Sequence, residues 1–173
     1  MKKFIAALAL FVGLSANANV INIAVSDSNV ALGETVSVSL IASGFEDFDS
    51  FDFDFDFDTS VFSYDSSSLI SDLSFGLAFE VNQVADGMAL SFFDFSPVNG
   101  DFLLASFDLI ALSSGFSSFS IGDLLFSDTI FQTDLVVTAD NTLEVEVSDV
   151  PAPATLGLLT LALFGLVGLR RKA

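Results

Sequence analysis

Every ionisable charge between Asp27 and Asp149 is a carboxylate: 23 Asp and Glu side chains, with no Lys, Arg or His among them. The densest run is Asp52, Asp54, Asp56 and Asp58, alternating with Phe51, Phe53, Phe55 and Phe57. Clustered carboxylates suit a hard cation, so this run is the candidate metal site, and calcium is the candidate cofactor. On a flat strand the four would share one face at intervals of about 6.6 Å, too far apart to share one ion. A bulge, or carboxylates from Glu46, Asp47 and Asp49, would have to complete the set. Read from Asp54, the spacing of a calcium loop is present through Asp56, Asp58, Ser60 and Asp65. Thr59, however, stands where the sharp turn needs Gly, and the last ligand is Asp in place of Glu. Asp58-Thr59-Ser60 offers acid–base chemistry only if a second copy brings another carboxylate beside it, and a turn explains it better. Hydrolysis of glycosides needs no more than two acids. Nothing singles out such a pair, and Tyr64 is the only Tyr or Trp available to stack on a sugar ring. No catalytic residue is assigned. The expected arrangement is a solvated acidic strand face over a Phe core.

The charge distribution removes whole classes of function. All five basic residues are terminal: Lys2, Lys3, Arg170, Arg171 and Lys172. A middle segment without cations cannot neutralise phosphates, so nucleic acid is excluded as a partner. Without Cys or His, zinc sites, redox thiols and His-based catalysis are excluded as well. A hydrophobic fraction of 52% is too high for a disordered acidic chain.

The elements that position the acids are strands. Val36, Val38 and Leu40 alternate with Thr35, Ser37 and Ser39, and Leu143, Val145 and Val147 alternate with Glu144 and Glu146. This period of two is that of half-buried strands. Turn signals at Ser43-Gly44, Asp86-Gly87, Asn99-Gly100-Asp101, Ser114-Gly115 and Gly122-Asp123 divide the middle into eight to ten strands. Ser66-Ser67-Ser68 reads as loop. Of the 21 Phe, 18 lie between residues 19 and 149, enough for a core between two face-to-face sheets. The expected fold class is all-β, an antiparallel sandwich, with helices only in the two terminal segments.

Those segments read as export signals. Lys2 and Lys3 precede a short apolar run, Phe4 to Leu14, and Ala16-Asn17-Ala18 supplies the small residues of a cleavage site. Residues 1–18 are therefore expected to be a signal peptide cut before Asn19. Residues 154–169 form a second apolar stretch, followed by Arg170-Arg171-Lys172. As a helix it would be about 24 Å long, placing the basic residues in the cytoplasm and residues 19–149 outside.

Val150-Pro151-Ala152-Pro153, the apolar stretch and the basic end at Arg170 and Arg171 resemble a PEP-CTERM sorting tail. The resemblance covers residues 150–173 and implies an exosortase-type processing partner. It also implies an inner-membrane anchor before processing, and the cell surface or extracellular matrix afterwards. Ala152 stands where the family usually has Glu. A second resemblance covers most of residues 19–149. Val30-Ala31-Leu32-Gly33-Glu34-Thr35-Val36-Ser37-Val38 looks like the opening of cohesin domains, and Phe57-Asp58-Thr59-Ser60-Val61-Phe62 is similar to their aromatic-Asp-turn motif. Leu104 to Leu109 and Gly115 to Ile121 look like their late strands. This likeness implies a jelly-roll sandwich of about nine strands and a dockerin-like partner.

The combined expectation is an exported, non-enzymatic module that is structural or adhesive and binds extracellular polysaccharide or a surface protein. The alternatives are a secreted carboxylate-dependent polysaccharide hydrolase and a plain membrane-anchored periplasmic binding domain.

Overall fold

Rows of Phe, Val and Leu at every second position become buried strand faces, and burying them selects one register for each strand pair. The computed structural model describes residues 19–73, 78–139 and 142–149. The expected signal helix with its cut at Ala16 and Ala18, and the sorting tail with helix 154–169, lie outside these residues. Among the described residues there are ten strands and no helix. They are β1 (Asn19–Val25), β2 (Asn29–Ala31), β3 (Thr35–Asp56), β4 (Phe62–Ile70), β5 (Ala78–Val84), β6 (Gly87–Ala111), β7 (Gly115–Asp128), β8 (Thr133–Leu135), β9 (Val137–Ala139) and β10 (Leu143–Ser148).

β3 and β6 have 22 and 25 residues, several times the usual strand length, and each serves two layers. The first half of β3 lies between β1 and residues 102–110 of β6, and β4 and β9 extend this layer at its two sides. The second half of β3, Ser50 to Asp56, lies between residues 87–93 of β6 and residues 120–127 of β7. β5 and β8 extend that second layer, and residues 115–119 of β7 carry β10 and then β2. Between the halves the register of β3 against β6 shifts four times. Gly44 (φ 67°) and Gly100 (φ 86°) lie in this crossing, in the left-handed region that favours glycine. The Asp101 carboxylate accepts the Gly44 N–H at 2.7 Å and holds the two bends together.

Three sequence expectations are corrected here. Ser43-Gly44, Asn99-Gly100-Asp101 and Gly122-Asp123 are bulges inside strands, not turns between them, because a residue at positive φ serves either purpose. Ser66-Ser67-Ser68 lies in β4, where Ser68 Oγ receives the Asp108 N–H at 2.8 Å. The sheets are also not wholly antiparallel. β1 runs parallel to β9 and β10 parallel to β2, so a strand from the start of the chain lies beside one from its end in each of the two pairs.

The layers meet through aromatic rings. Phe55 of the second layer has its ring centroid 5.2 Å from that of Phe107 in the first, and 5.6 Å from that of Phe119. Phe48 lies 5.2 Å from Phe126 and 5.8 Å from Phe102. Eleven Phe are buried in this core. At about 1.5–3 kcal/mol each, they supply a large apolar driving force without any disulfide. Among the described residues no buried side-chain polar atom lacks a hydrogen-bond partner.

Candidate functional site

The second layer turns its outer face to solvent, and the acid run lies on it. Alternation along β3 buries Phe51, Phe53 and Phe55 and leaves Asp52 exposed and Asp54 and Asp56 half-buried. Their cross-strand neighbours on β6 are Ser91, Ala89 and Gly87, and Glu80, Asn82 and Val84 of β5 follow in the same rows. On β7 the rows end at Leu125, Gly122 and Ser120. Small residues thus flank the carboxylates on the β6 side. On the β7 side the exposed Leu125 stands beside Asp52, and Gly122 and Ser120 beside Asp54 and Asp56, and the face is open. A Cβ on Gly87 would come within 2.1 Å of the Phe55 carbonyl oxygen, so β6 keeps its close approach to β3 only with glycine there. Neither Asp52 nor Asp54 accepts a hydrogen bond on its side chain among the described residues. Asp56 has only a long contact of 3.5 Å from Ser120 Oγ.

The fourth member of the run does something different. β3 ends at Asp56, and Asp58 lies in the turn before β4. Its carboxylate accepts the Ser60 N–H at 2.8 Å and the Ser60 hydroxyl at 2.6 Å, while its carbonyl receives the N–H groups of Val61 and Phe62. The Ser60 hydroxyl first, and then the Ser60 N–H, bond the ionised form and hold the Asp58 carboxyl below its usual pKa. Asp56 moves the opposite way. Partial burial raises it first, followed by repulsion from Asp54, Asp86 and Asp123, against the opposing Ser120 contact. Among the described residues no three acidic side chains come together as ligands for a metal ion. Asp52, Asp54 and Asp56 form a charged row along β3, and Asp58 caps the turn that follows it. Glu46, Asp47 and Asp49 lie at the crossing of β3, away from that row.

Glu46 and Asp47 belong to a second acidic region, whose apolar members the sequence did not group with them. At the crossing, a cleft of about 800 Å³ is lined by Asn19, Glu46, Asp47, Asp128, Phe131, Asp134 and Val136, among others. Asn19 joins its walls: its Nδ2 donates to the Val136 carbonyl at 3.0 Å, and its Oδ1 accepts the Glu46 N–H at 2.9 Å. The one signal in the sequence is Ile130-Phe131, an apolar pair inside the polar run from Ser127 to Asp134.

The comparisons with known proteins bear on the two ends of this description. Residues 149–172 match the PEP-CTERM protein-sorting motif. The described domain matches solved cohesin domains. The solution structure of CaCohA2 from Clostridium acetobutylicum is 20% identical with a TM-score of 0.59, covering 76% of this chain and 92% of that one. A cohesin of scaffoldin B from Acetivibrio cellulolyticus, solved with a Cel5 dockerin variant, is 20% identical with a TM-score of 0.60. It covers 74% of this chain and 99% of that one. A non-cellulosomal cohesin from the archaeon Archaeoglobus fulgidus is 12% identical with a TM-score of 0.62, covering 76% and 91%. The fold is that of a cohesin domain. No curated protein matches the chain in sequence. A cohesin-like sandwich carrying a PEP-CTERM motif is consistent with an exported module.

Proposed function

We propose that this chain is an exported, non-enzymatic module that binds a dockerin-like or other surface protein through the outer face of its second layer. The observation that carries the reading is the row Asp52, Asp54 and Asp56, with Glu80 beyond Ser91 on the next strand but one, on an open sheet face. No cation between residues 19 and 149 is there to neutralise it. Such a face favours a partner with complementary charge, and steers its encounter. The cohesin fold supports protein binding over catalysis, and the sorting motif supports export. In this reading an exosortase-type enzyme removes the tail, after inner-membrane anchoring through residues 154–169, and leaves the domain at the cell surface or in the matrix.

The test begins with the protein recovered from fractionated native cells, its C-terminus mapped by intact mass. Loss of residues after about position 150, with the product outside the inner membrane, is the outcome required of a sorted module. A chain ending at Ala173 in the inner membrane overturns the sorting step and makes the protein a tethered periplasmic domain. The partner is then cross-linked to this material. Its yield must fall in high salt and in the variant Asp52→Asn/Asp54→Asn/Asp56→Asn. Retardation in gels containing the native exopolysaccharide, with no protein cross-link, would replace the protein-binding reading with a glycan-binding one. Turnover of that glycan, lost on replacing a close acid pair, would revive the hydrolase.

A further inference from the structure

The cleft at the β3 crossing combines two features that rarely coincide on a solvated surface. Its rim is apolar and fully presented: Phe131 is 72% exposed, Val136 85%, and Ile130 beside them 58%. Its lining is acidic, with Glu46, Asp47 and Asp134 open to solvent. The rim is also held in place. Asp49, only 1% exposed, accepts the Thr129 N–H at 2.9 Å and the Thr129 hydroxyl at 2.6 Å. Asp128, 4% exposed, accepts the N–H groups of Ile130 and Phe131, each at 3.0 Å. Two buried carboxylates thus fix the backbone of a loop whose tip is two apolar side chains in water. Exposed apolar groups on a restrained backbone are what a binding anchor requires, because little ordering remains to be done on association.

Charge identifies the occupant. A second copy of this domain would bring acids and no cation. An anionic lipid surface would be repelled for the same reason. A neutral glycan would leave the carboxylates unanswered. Glu46 has no hydrogen-bonded partner on its side chain among the described residues, whereas Asp47 is met by Asn99 and Asp134 by Ser127 at 2.8 Å. We propose that this cleft is a second docking site, separate from the outer sheet face, for a protein segment carrying Lys or Arg next to apolar side chains. The apolar residues lie against Phe131 and Val136, and the cation reaches Glu46 and Asp134.

The probe is a fluorescent synthetic peptide of alternating Lys and Leu, titrated into the full-length protein in neutral detergent and followed by anisotropy. Two control peptides replace every Leu by Ser or every Lys by Glu. The variants are Phe131→Ser/Val136→Ser on the rim, Glu46→Gln/Asp134→Asn in the lining, and Glu144→Gln/Asp149→Asn at the β10 end of the chain, outside both this cleft and the outer face. All these side chains are exposed, and an unchanged melting temperature verifies each fold. The Lys–Leu peptide is expected to bind at least about tenfold more tightly than either control. The rim and lining variants should each lose about that factor, and the Glu144/Asp149 variant less than about twofold. The lining variant should also flatten the salt dependence. Equal losses for the lining and Glu144/Asp149 variants, or none on removing the rim, would show mere polyanion binding and overturn the proposal. So would perturbation of Phe131 by exopolysaccharide fragments in place of the peptide.

Discussion

The two layers share one core and alternate in the same way, yet their outer faces treat acidity oppositely. On the first layer each acid is given a hydroxyl. Ser37 Oγ donates to Asp108 at 2.6 Å, Ser39 and Ser106 meet at 3.1 Å across the same strands, and Asp65 accepts the Ser67 N–H and hydroxyl. Those bonds hold the Asp65 carboxyl below its ordinary pKa. Along the acid row of the second layer Asp54 lies between Ala89 and Gly122, which offer no side-chain donor. Among the described residues the Asp52 carboxylate accepts nothing and Asp56 has only the 3.5 Å contact from Ser120 Oγ, and the Asp56 carboxyl is pushed upward, chiefly by partial burial. A strand face whose polar groups satisfy one another needs no visitor. One that leaves its charges to water keeps them available to a partner, at some cost in self-repulsion.

Four measurements break or sharpen that contrast. The largest effect should come from the core that both faces share. Phe55→Ala is expected to lose about 3–5 kcal/mol in urea denaturation, since Phe55 touches rings of both layers. A loss below about 1 kcal/mol would mean that the layers do not depend on a common core. Next, Ser37→Ala strips Asp108 of its donor and should cost about 1 kcal/mol. Asp52→Asn, by contrast, should change stability by less than about 0.5 kcal/mol, or raise it. Equal costs would erase the distinction between the faces.

Third, salt should stabilise the whole protein. No cation lies between residues 19 and 149, and the screening length falls from about 30 Å at 0.01 M salt to about 3 Å at 1 M. The rise in melting temperature should be smaller in the Asp52→Asn/Asp54→Asn/Asp56→Asn variant. An identical rise would place the repulsion elsewhere.

The smallest effects are in pH dependence, where two neighbouring acids should differ in sign. Asp56 has a raised pKa, so above the ordinary aspartate value of 3.8 the folded state holds its proton more tightly. Its contribution to stability therefore falls as pH rises above that value, and Asp56→Asn should gain on the native protein as pH is raised from strong acid to neutrality. Asp58 has a lowered pKa, so its stabilisation is present above 3.8 and disappears as pH falls through the lower folded value. Asp58→Ala should be less stable than the native protein at neutral pH and nearly equal to it in strong acid. Parallel pH profiles for the two variants would contradict the division of the run into a face and a cap.

Much of this was legible along the chain. The alternation of Phe51 to Phe57 with Asp52 to Asp58 announced a buried row and an exposed row, because neighbouring side chains on a strand point to opposite faces. Asp58 continues the alternation, with Phe57 buried before it, past the point where β3 stops, and only hydrogen bonding marks that end. The bends at Gly44 and Gly100 were misread as turns, since a local sequence does not show that two glycines 56 positions apart will kink side by side. The cleft at Asn19 left even less trace. It joins Asn19, Glu46, Asp128 and Val136, which come together only through pairing between distant strands.

The sequence by itself determined the strand class, the Phe core, the cation-free middle and the cohesin-like and PEP-CTERM patterns, because each is a matter of composition or short-range spacing. The tertiary structure alone decided which acids stand in a row, which are used up in capping, and which surround an apolar rim. Those distinctions depend on register and on the crossing of two long strands, and both are set by packing between residues far apart in the chain.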